Sequence, residues 1–198
     1  MKKKEDMYRY AAKPGKGSSM LFPATAGVYY DFEEKRAVST DGHILRISKA
    51  AYDAQYEKEG IPGVSIGRDG KEIEGKFPKF RSVVPYFGKK KRVEPLDKRS
   101  ILDSIKQAKA KAKQEGVVFD MLLVYIPAMW MGEMHLKMAL DVIDEMILST
   151  NPLDNKFLYG EKDGEEILIA RHGGPDPDVV GYDAKFAFYK KGCLVYWV

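Results

Sequence analysis

A long amphipathic period between two groups of strand-like runs most constrains how this 198-residue chain can fold. Over residues 97–115, apolar positions recur at spacings of four, three and four, which predicts a helix with one buried face. Asp97 is a typical N-cap, and Gly116 ends the pattern. The buried positions are Ile101, Ile105, Ala108 and Ala112, and the opposite, basic face carries Arg99, Lys106, Lys109 and Lys113.

The flanking segments alternate or cluster apolar and β-branched residues, as strands do. Strands are predicted over residues 28–32, 37–40, 43–48, 117–126, 155–160, 165–171, 180–189 and 192–198, with hairpin turns at 33–36, 68–71, 162–164 and 190–192. A polar helix is predicted over 49–60. A second amphipathic helix is predicted over 132–148, with an inward stripe of Leu136, Leu140, Ile143 and Ile147. This order of elements predicts an α+β fold with antiparallel sheets and two packed amphipathic helices.

The domain organisation follows from turn-forming and charged segments. Residues 1–20, which contain the sequence KPGKGSS, are predicted to be a flexible N-terminal segment. Residues 21–198 form one domain, divisible into two lobes joined near 86–96. Within that junction the basic run KKKR at 89–92 is predicted to be an exposed connector.

Composition excludes several functional classes. The longest apolar run, residues 117–131, is interrupted by Asp120 and Pro127 and is shorter than the roughly 20 residues that span a bilayer. The basic N-terminus is not followed by an apolar segment, so we expect no export and a cytoplasmic location. The lone Cys193 cannot form an internal disulfide and is predicted to be buried. The three histidines lack metal-ligand spacing, so neither metal nor cofactor is expected.

Two segments carry a resemblance to a known family. Residues 39–46 read STDGHILR, and residues 75–85 read GKFPKFRSVVP. In this order they resemble the bacterial DNA sliding clamp, the β subunit of DNA polymerase III, which carries an ATDGHRLA segment and a later FPxYRRVxP segment. The resemblance implies a DNA-clamp-like fold and a role in holding and recruiting, not in catalysis.

The resemblance also implies two binding surfaces. Partner proteins of the family insert a linear peptide between the two segments. By position, one wall would be formed by Thr40, Gly42, His43, Ile44 and Leu45, and the other by Pro78, Ser82 and Val83. The helices of the family face duplex DNA, so the basic face of helix 97–115 would contact phosphates. A chain of this length would need to self-associate to surround DNA, which implies a homo-oligomer.

The chain departs from the family pattern at two pocket positions. Ile44 and Ser82 stand where the family carries arginine, so the implied pocket would be less basic and would prefer another peptide or bind none. The two segments are also closer together than in the family, as if a helix-containing piece were absent. The chain is shorter than the three-domain family subunit.

Each functional interpretation has a structural alternative. The turn at residues 40–43 is equally well explained by Asp and His side chains that satisfy local backbone groups. The lysines of helix 97–115 are also explained as a solubilising surface. The leading hypothesis is therefore a non-enzymatic clamp-like protein that associates with DNA, recruits replication or repair proteins, or does both. The alternatives are a clamp-fold adaptor that has lost DNA binding and an enzyme with an unrecognised site.

Overall fold

The computed structural model describes residues 6–57, 63–84, 91–126, 129–150, 156–181 and 184–198. The chain divides into two compact units. Unit 1 comprises Met1–Tyr86 and Tyr159–Leu168, and unit 2 comprises Phe87–Leu158 and Ile169–Val198. The predicted division into two lobes joined near 86–96 is therefore incomplete, because Tyr159–Leu168 also belongs to unit 1.

The strands in chain order are β1 (Val28–Asp31), β2 (Arg36–Thr40), β3 (Ile44–Ser48), β4 (Val64–Ile66), β5 (Glu72–Ile73), β6 (Lys91–Pro95), β7 (Met121–Ile126), β8 (Met129–Gly132), β9 (Glu145–Ser149), β10 (Phe157–Lys162), β11 (Glu165–Ala170), β12 (Phe186–Lys190) and β13 (Cys193–Trp197). The α-helices are α1 (Lys98–Gln114), α2 (Glu133–Ala139) and α3 (Pro177–Val180). Short 3-10 helices occupy Met7–Arg9, Gly17–Met20, Pro23–Ala26, Ala54–Tyr56 and Phe80–Ser82.

In unit 1 the neighbouring strands follow the order β5-β4-β1-β2-β3-β11-β10. The pairs β1–β2, β2–β3, β1–β4 and β4–β5 are antiparallel. Alternate residues of β1 and β4 point to one face, where Val28, Tyr30, Val64 and Ile66 form a core with Met7. The other face of β1 and β4 carries Tyr29 and Ser65, which are register partners.

In unit 2, β6 pairs with β9, and a second antiparallel sheet has the order β13-β12-β7-β8. The helix α2 packs against β7 and β8. Ile105, Ala108 and Ala112 of α1 are buried, as its periodicity predicts, whereas Ile101 is half-buried. The predicted α+β class with antiparallel sheets is confirmed. None of the described helices is long and apolar enough to cross a membrane.

The predicted helix over 97–115 is confirmed almost to the residue. The Asp97 side chain accepts from the backbone N–H of Ser100 at 3.1 Å. Gly116 follows the helix with φ of +72°, which glycine adopts without strain. The predicted turns at 162–164 and 190–192 are confirmed as tight hairpin turns, with Asp163, Gly164, Lys191 and Gly192 at positive φ.

The predicted second helix over 132–148 is wrong in its second half. The helix α2 ends at Ala139, and residues 145–149 form β9. The spacing of Leu140, Ile143 and Ile147 suits a helix, but Met146, Ile147 and Leu148 are all buried in a strand paired with β6. A short continuous apolar run does not distinguish a helix from a buried strand, and the partner strand decides.

Four smaller predictions also differ from the structure. The helix over 49–60 is wrong for the described residues 49–57, where Ala54–Tyr56 forms one 3-10 turn; residues 58–60 lie outside the described part. Of the basic run 89–92, Lys91 and Arg92 begin β6, and the other two residues are not described. The strand over 180–189 begins at Phe186. Cys193, which was predicted to be buried, is exposed at the first position of β13.

The N-terminal segment packs on unit 1. Residues 1–20 are predicted to be flexible, but within residues 6–20 the structure has two 3-10 helices and buries Met7 and Tyr10. The Tyr10 ring lies 5.6 Å from the guanidinium carbon of Arg46, a buried residue of β3. The glycines and lysines of this segment favour a prediction of flexibility, but its aromatic side chains make contacts with the core.

Candidate functional site

A pocket of about 880 Å³ opens in unit 1 beside β1, β4 and β5. Its apolar floor is aromatic: the Tyr29 ring stacks on Phe77 at 4.8 Å between centroids and meets Phe80 edge-on at 6.3 Å. Gly63 makes room for this arrangement, because a Cβ there would lie 2.3 Å from the Tyr29 hydroxyl. Burial raises the pKa of Tyr29, so this residue presents a neutral phenol to the pocket.

The rim of the pocket is acidic. It carries the carboxylates of Asp31, Glu33, Glu34, Glu72 and Glu74, against the cations Lys76, Lys79 and Arg81. Arg81 is held by ion pairs to Glu34 and to Glu166, the latter at 3.1 Å. Burial lowers the pKa of Arg81, but the hydrogen bonds to Glu34 and Glu166 outweigh this effect and raise it overall. With Arg81 neutralised by its partners, the remaining rim charge favours a cationic ligand.

Two of the predicted peptide-binding residues line this pocket. Pro78 and Ser82 belong to its wall, and the Ser82 hydroxyl donates to the Lys79 carbonyl at 2.6 Å. Val83, the next residue, has 43% of its surface exposed. Among the described residues that line the pocket, none comes from the predicted opposite wall at 40–45. The structure therefore does not bring the two predicted walls together around this pocket.

The residues of the predicted first wall form the tight turn between β2 and β3. The Asp41 carboxylate accepts from the backbone N–H groups of His43 at 2.8 Å and Ile44 at 3.0 Å. The Thr40 hydroxyl donates to the Ile44 carbonyl at 2.7 Å and accepts from the Gly42 N–H at 3.1 Å. Ile44 and Leu45 are buried, whereas His43 is exposed. The Asp41 and Thr40 side chains therefore satisfy local backbone groups, as the alternative interpretation of this segment predicts for its Asp.

The same turn supports a neighbouring segment of the chain. Gly42 has φ of +95°, and a Cβ at this position would lie 3.1 Å from the Ser18 Cβ. Ser18 belongs to the 3-10 helix Gly17–Met20, which leads into the exposed residues Met20, Leu21 and Phe22. Glycine at position 42 is thus required both by the backbone conformation and by the close approach of Ser18.

The basic face of α1 separates into exposed and paired residues. Arg99, Lys106 and Lys113 are exposed, and their seven-residue spacing keeps them within about 20° of each other per step around the helix. Lys106 forms an ion pair with Asp103 at 3.0 Å on the same face. Lys109 points to α2 and forms an ion pair with Glu133 at 2.6 Å. The predicted four-residue DNA face therefore has three exposed members and one that joins two helices.

Sequence reasoning missed most of the pocket. Tyr29 was predicted only as a strand residue, and Ser65 was not singled out. Phe77 and Phe80 stand in the segment that was recognised, and their spacing in GKFPKFRS is the signal that an aromatic surface lies there. No such signal exists for Ser65, because a serine in a strand reveals neither its face nor its neighbours. Among the described residues, no cluster of His, Cys, Asp or Glu is arranged to hold a metal ion.

The fold, with its antiparallel sheets and a helix packed on β7 and β8, is similar to that of solved DNA sliding clamps. The chain is similar to the crystal structure of the DNA polymerase III β subunit from Bartonella birtlesii bound to griselimycin, with a TM-score of 0.58 and 12% identity, covering 84% of this chain and 62% of that one. It is similar to the sliding clamp of Pseudomonas aeruginosa with ligand, with a TM-score of 0.55 and 13% identity, over 83% and 61% of the two chains. It is also similar to the β subunit of Thermotoga maritima, with a TM-score of 0.51 and 12% identity, over 85% and 61%.

These matches confirm the resemblance at the level of the fold. The chain spans about three fifths of the length of the clamp chains that it matches. No family model matches the sequence, and no curated protein gives a significant match. The chain is therefore a divergent protein with the sliding-clamp fold.

Proposed function

We propose that this chain is a non-enzymatic clamp-fold protein that associates with duplex DNA and recruits proteins of replication or repair. The observation that carries the DNA part is the exposure of Arg99, Lys106 and Lys113 along one side of α1, in a fold shared with DNA polymerase III β subunits. A protein that associates with DNA must be in the same compartment as the DNA. We therefore include the expected cytoplasmic location in this proposal.

The proposed DNA contact is electrostatic. Side chains on one stripe of a helix follow a phosphate backbone without reading bases, so binding is independent of sequence. Three phosphate contacts release about three counterions, which gives a logarithmic salt slope of roughly −3. Lys109 is excluded from this set because its ammonium group is held by Glu133.

A charge-reversal experiment tests this proposal. The triple variant R99E/K106E/K113E and the control variant K49E/K71E/K190E change net charge equally, and all six residues are exposed. Wild type and control should bind duplex DNA at low salt and weaken steeply as salt rises, whereas the α1 variant should not bind. Circular dichroism should show unchanged helix content. Equal binding by both variants, or no binding by wild type at low salt, contradicts DNA association and favours the adaptor.

The adaptor function is our second proposal, and the aromatic pocket supports it. An aromatic floor with fixed polar groups is the usual form of a site for a linear peptide. The acidic rim selects peptides that combine an apolar anchor with a basic flank. Pro78 and Ser82 belong to the proposed site. The other predicted peptide-binding residues do not line the pocket: Thr40, Gly42, His43, Ile44, Leu45 and Val83.

A displayed library of random peptides tests the adaptor function. Wild type should select peptides with an aromatic or aliphatic anchor next to Lys or Arg. The variant Ser82→Trp fills the pocket from an exposed position and should lose them. The control Ser104→Trp, on α1, should retain them. Selection of no peptide, or of peptides that bind Ser82→Trp equally well, contradicts a peptide-binding role for this pocket.

A further inference from the structure

Three consecutive large apolar side chains protrude from unit 1. Met20, Leu21 and Phe22 are 72%, 81% and 42% exposed. Single exposed apolar residues are ordinary on a protein surface, but a contiguous group of this size indicates an interaction site. We call residues 20–22 the apolar ridge.

The apolar ridge is held in a fixed conformation. The Phe22 N–H donates to the Ser18 carbonyl at 2.9 Å, and the Thr25 hydroxyl donates to the Phe22 carbonyl at 2.9 Å. The hydroxyls of Ser18 and Thr25 are 3.0 Å apart. A ridge that is ordered before binding loses little conformational entropy when it is covered, which favours association.

We propose that the apolar ridge of one copy of this chain inserts into the aromatic pocket of a second copy. The ridge supplies the anchor that the floor of Tyr29, Phe77 and Phe80 requires. Its neighbours Lys13 and Lys16 are exposed and complement the acidic rim. This inference rests on the proposed peptide-binding role of the pocket and names its occupant.

The position of the ridge favours a two-fold exchange. Pro23, which follows the ridge, lies 3.7 Å from the place where a Cβ on Gly75 would be, and Gly75 lines the pocket. The ridge and the pocket are therefore side by side on unit 1. Two copies related by a two-fold axis can then exchange ridges, so that one surface patch serves both subunits and the assembly closes as a dimer.

A buried hydroxyl group in the pocket wall also supports a peptide segment as the occupant of the pocket. The Ser65 hydroxyl is buried, lines the pocket and has no hydrogen-bond partner among the described residues. A buried hydroxyl without a partner is costly, and a backbone group of an inserted segment would supply one. Ser65 lies on the same face of the sheet as Tyr29, its register partner, and both residues line the pocket.

Sedimentation velocity with two single variants tests this inference. Wild type should form a dimer at micromolar concentration. Leu21→Asp removes the ridge, Ser82→Trp blocks the pocket, and each should weaken self-association at least about tenfold. A mixture of the two should recover a heterodimer, because the intact ridge of one variant meets the intact pocket of the other. The control Val118→Asp changes another exposed apolar residue, of unit 2, and should leave the dimer unchanged.

The outcomes separate this inference from the proposed pocket function. A wild type that stays monomeric, a Ser82→Trp variant that dimerises like wild type, or a mixture that stays monomeric overturns ridge exchange. If the library peptides still bind in a manner sensitive to Ser82→Trp, only ridge exchange fails and the pocket function stands. The rim variant E33K/E74K is a second probe that fills no space. It should weaken the dimer, and an unchanged dimer contradicts the assigned charge complementarity.

Discussion

The ammonium group of Lys109 on α1 lies 2.7 Å from the Oε1 atom of Glu133, the first residue of α2. Lys137, one turn further along α2, donates to the same carboxylate. Glu133 is largely buried, and its position at the start of α2 also suits the helix dipole. A residue predicted for DNA binding therefore joins two helices of unit 2.

Replacing Lys109 by Met should lower stability without changing DNA binding. The variant keeps the aliphatic stem but removes one of two donors from a partly buried carboxylate. We expect a loss of about 1 kcal/mol in the free energy of unfolding, measured by urea denaturation. The control Lys106→Met breaks an exposed pair and should cost less than about 0.5 kcal/mol, but it should weaken DNA binding. If Lys109→Met weakened DNA binding and left stability unchanged, Lys109 would instead have a role in DNA binding.

The contribution of Glu133 to stability should depend on pH. Burial raises the pKa of Glu133, but the hydrogen bonds from Lys109 and Lys137 outweigh burial and lower it from its ordinary value of 4.5. A carboxyl group with a depressed folded pKa stabilises the protein above its unfolded pKa and loses this effect as pH falls through the folded pKa. The stability difference between wild type and Glu133→Gln should therefore be full near neutral pH and shrink below pH 4.5. A difference that grows on acidification contradicts this assignment, and the Lys109→Met background should show a smaller change.

Replacing Gly42 by Ala should destabilise unit 1 through two effects. The backbone φ of +95° is unfavourable for alanine, and the new Cβ would lie 3.1 Å from the Ser18 Cβ. We expect a loss of about 2 kcal/mol by thermal or urea unfolding. The control Gly70→Ala has φ of +80° with no atom within 4 Å and should cost about 1 kcal/mol. Equal losses for the two variants would show that contact with Ser18 carries no energy.

Replacing the largely buried Glu165 by Ala should lower stability more than replacing an exposed glutamate. The Arg46 side chain is 2% exposed, and its guanidinium pairs with Glu165 at 2.5 Å. The same carboxylate accepts from the Ser48 hydroxyl at 2.8 Å and from the Ala50 N–H at 3.2 Å. Removing it leaves a buried cation without this counterion, which costs about 3 kcal/mol. Glu33→Ala, at an exposed position, should change stability by less than about 0.5 kcal/mol; urea unfolding of both variants compares them directly.

The sequence alone determined the elements whose signals are local. The helix α1 was predicted because its period, its cap at Asp97 and its terminator at Gly116 lie within twenty consecutive positions. The hairpin turns at Asp163 and Lys191 were predicted because each is followed by a glycine that adopts positive φ. The two short segments that resemble sliding-clamp segments pointed to the fold, since they occur in the same order along the chain.

Tertiary structure decided every feature that depends on distant partners. Residues 145–149 became a strand because β6 offers them a complete antiparallel ladder, which outweighs their helical spacing. Lys109 forms an ion pair because Glu133 of α2 lies beside it, and the pocket exists because Tyr29, Ser65 and Phe77 meet from three separate segments. Local periodicity encodes which face of an element is apolar. The free energy that selects its partner comes from contacts between residues far apart in the chain, which no local pattern records.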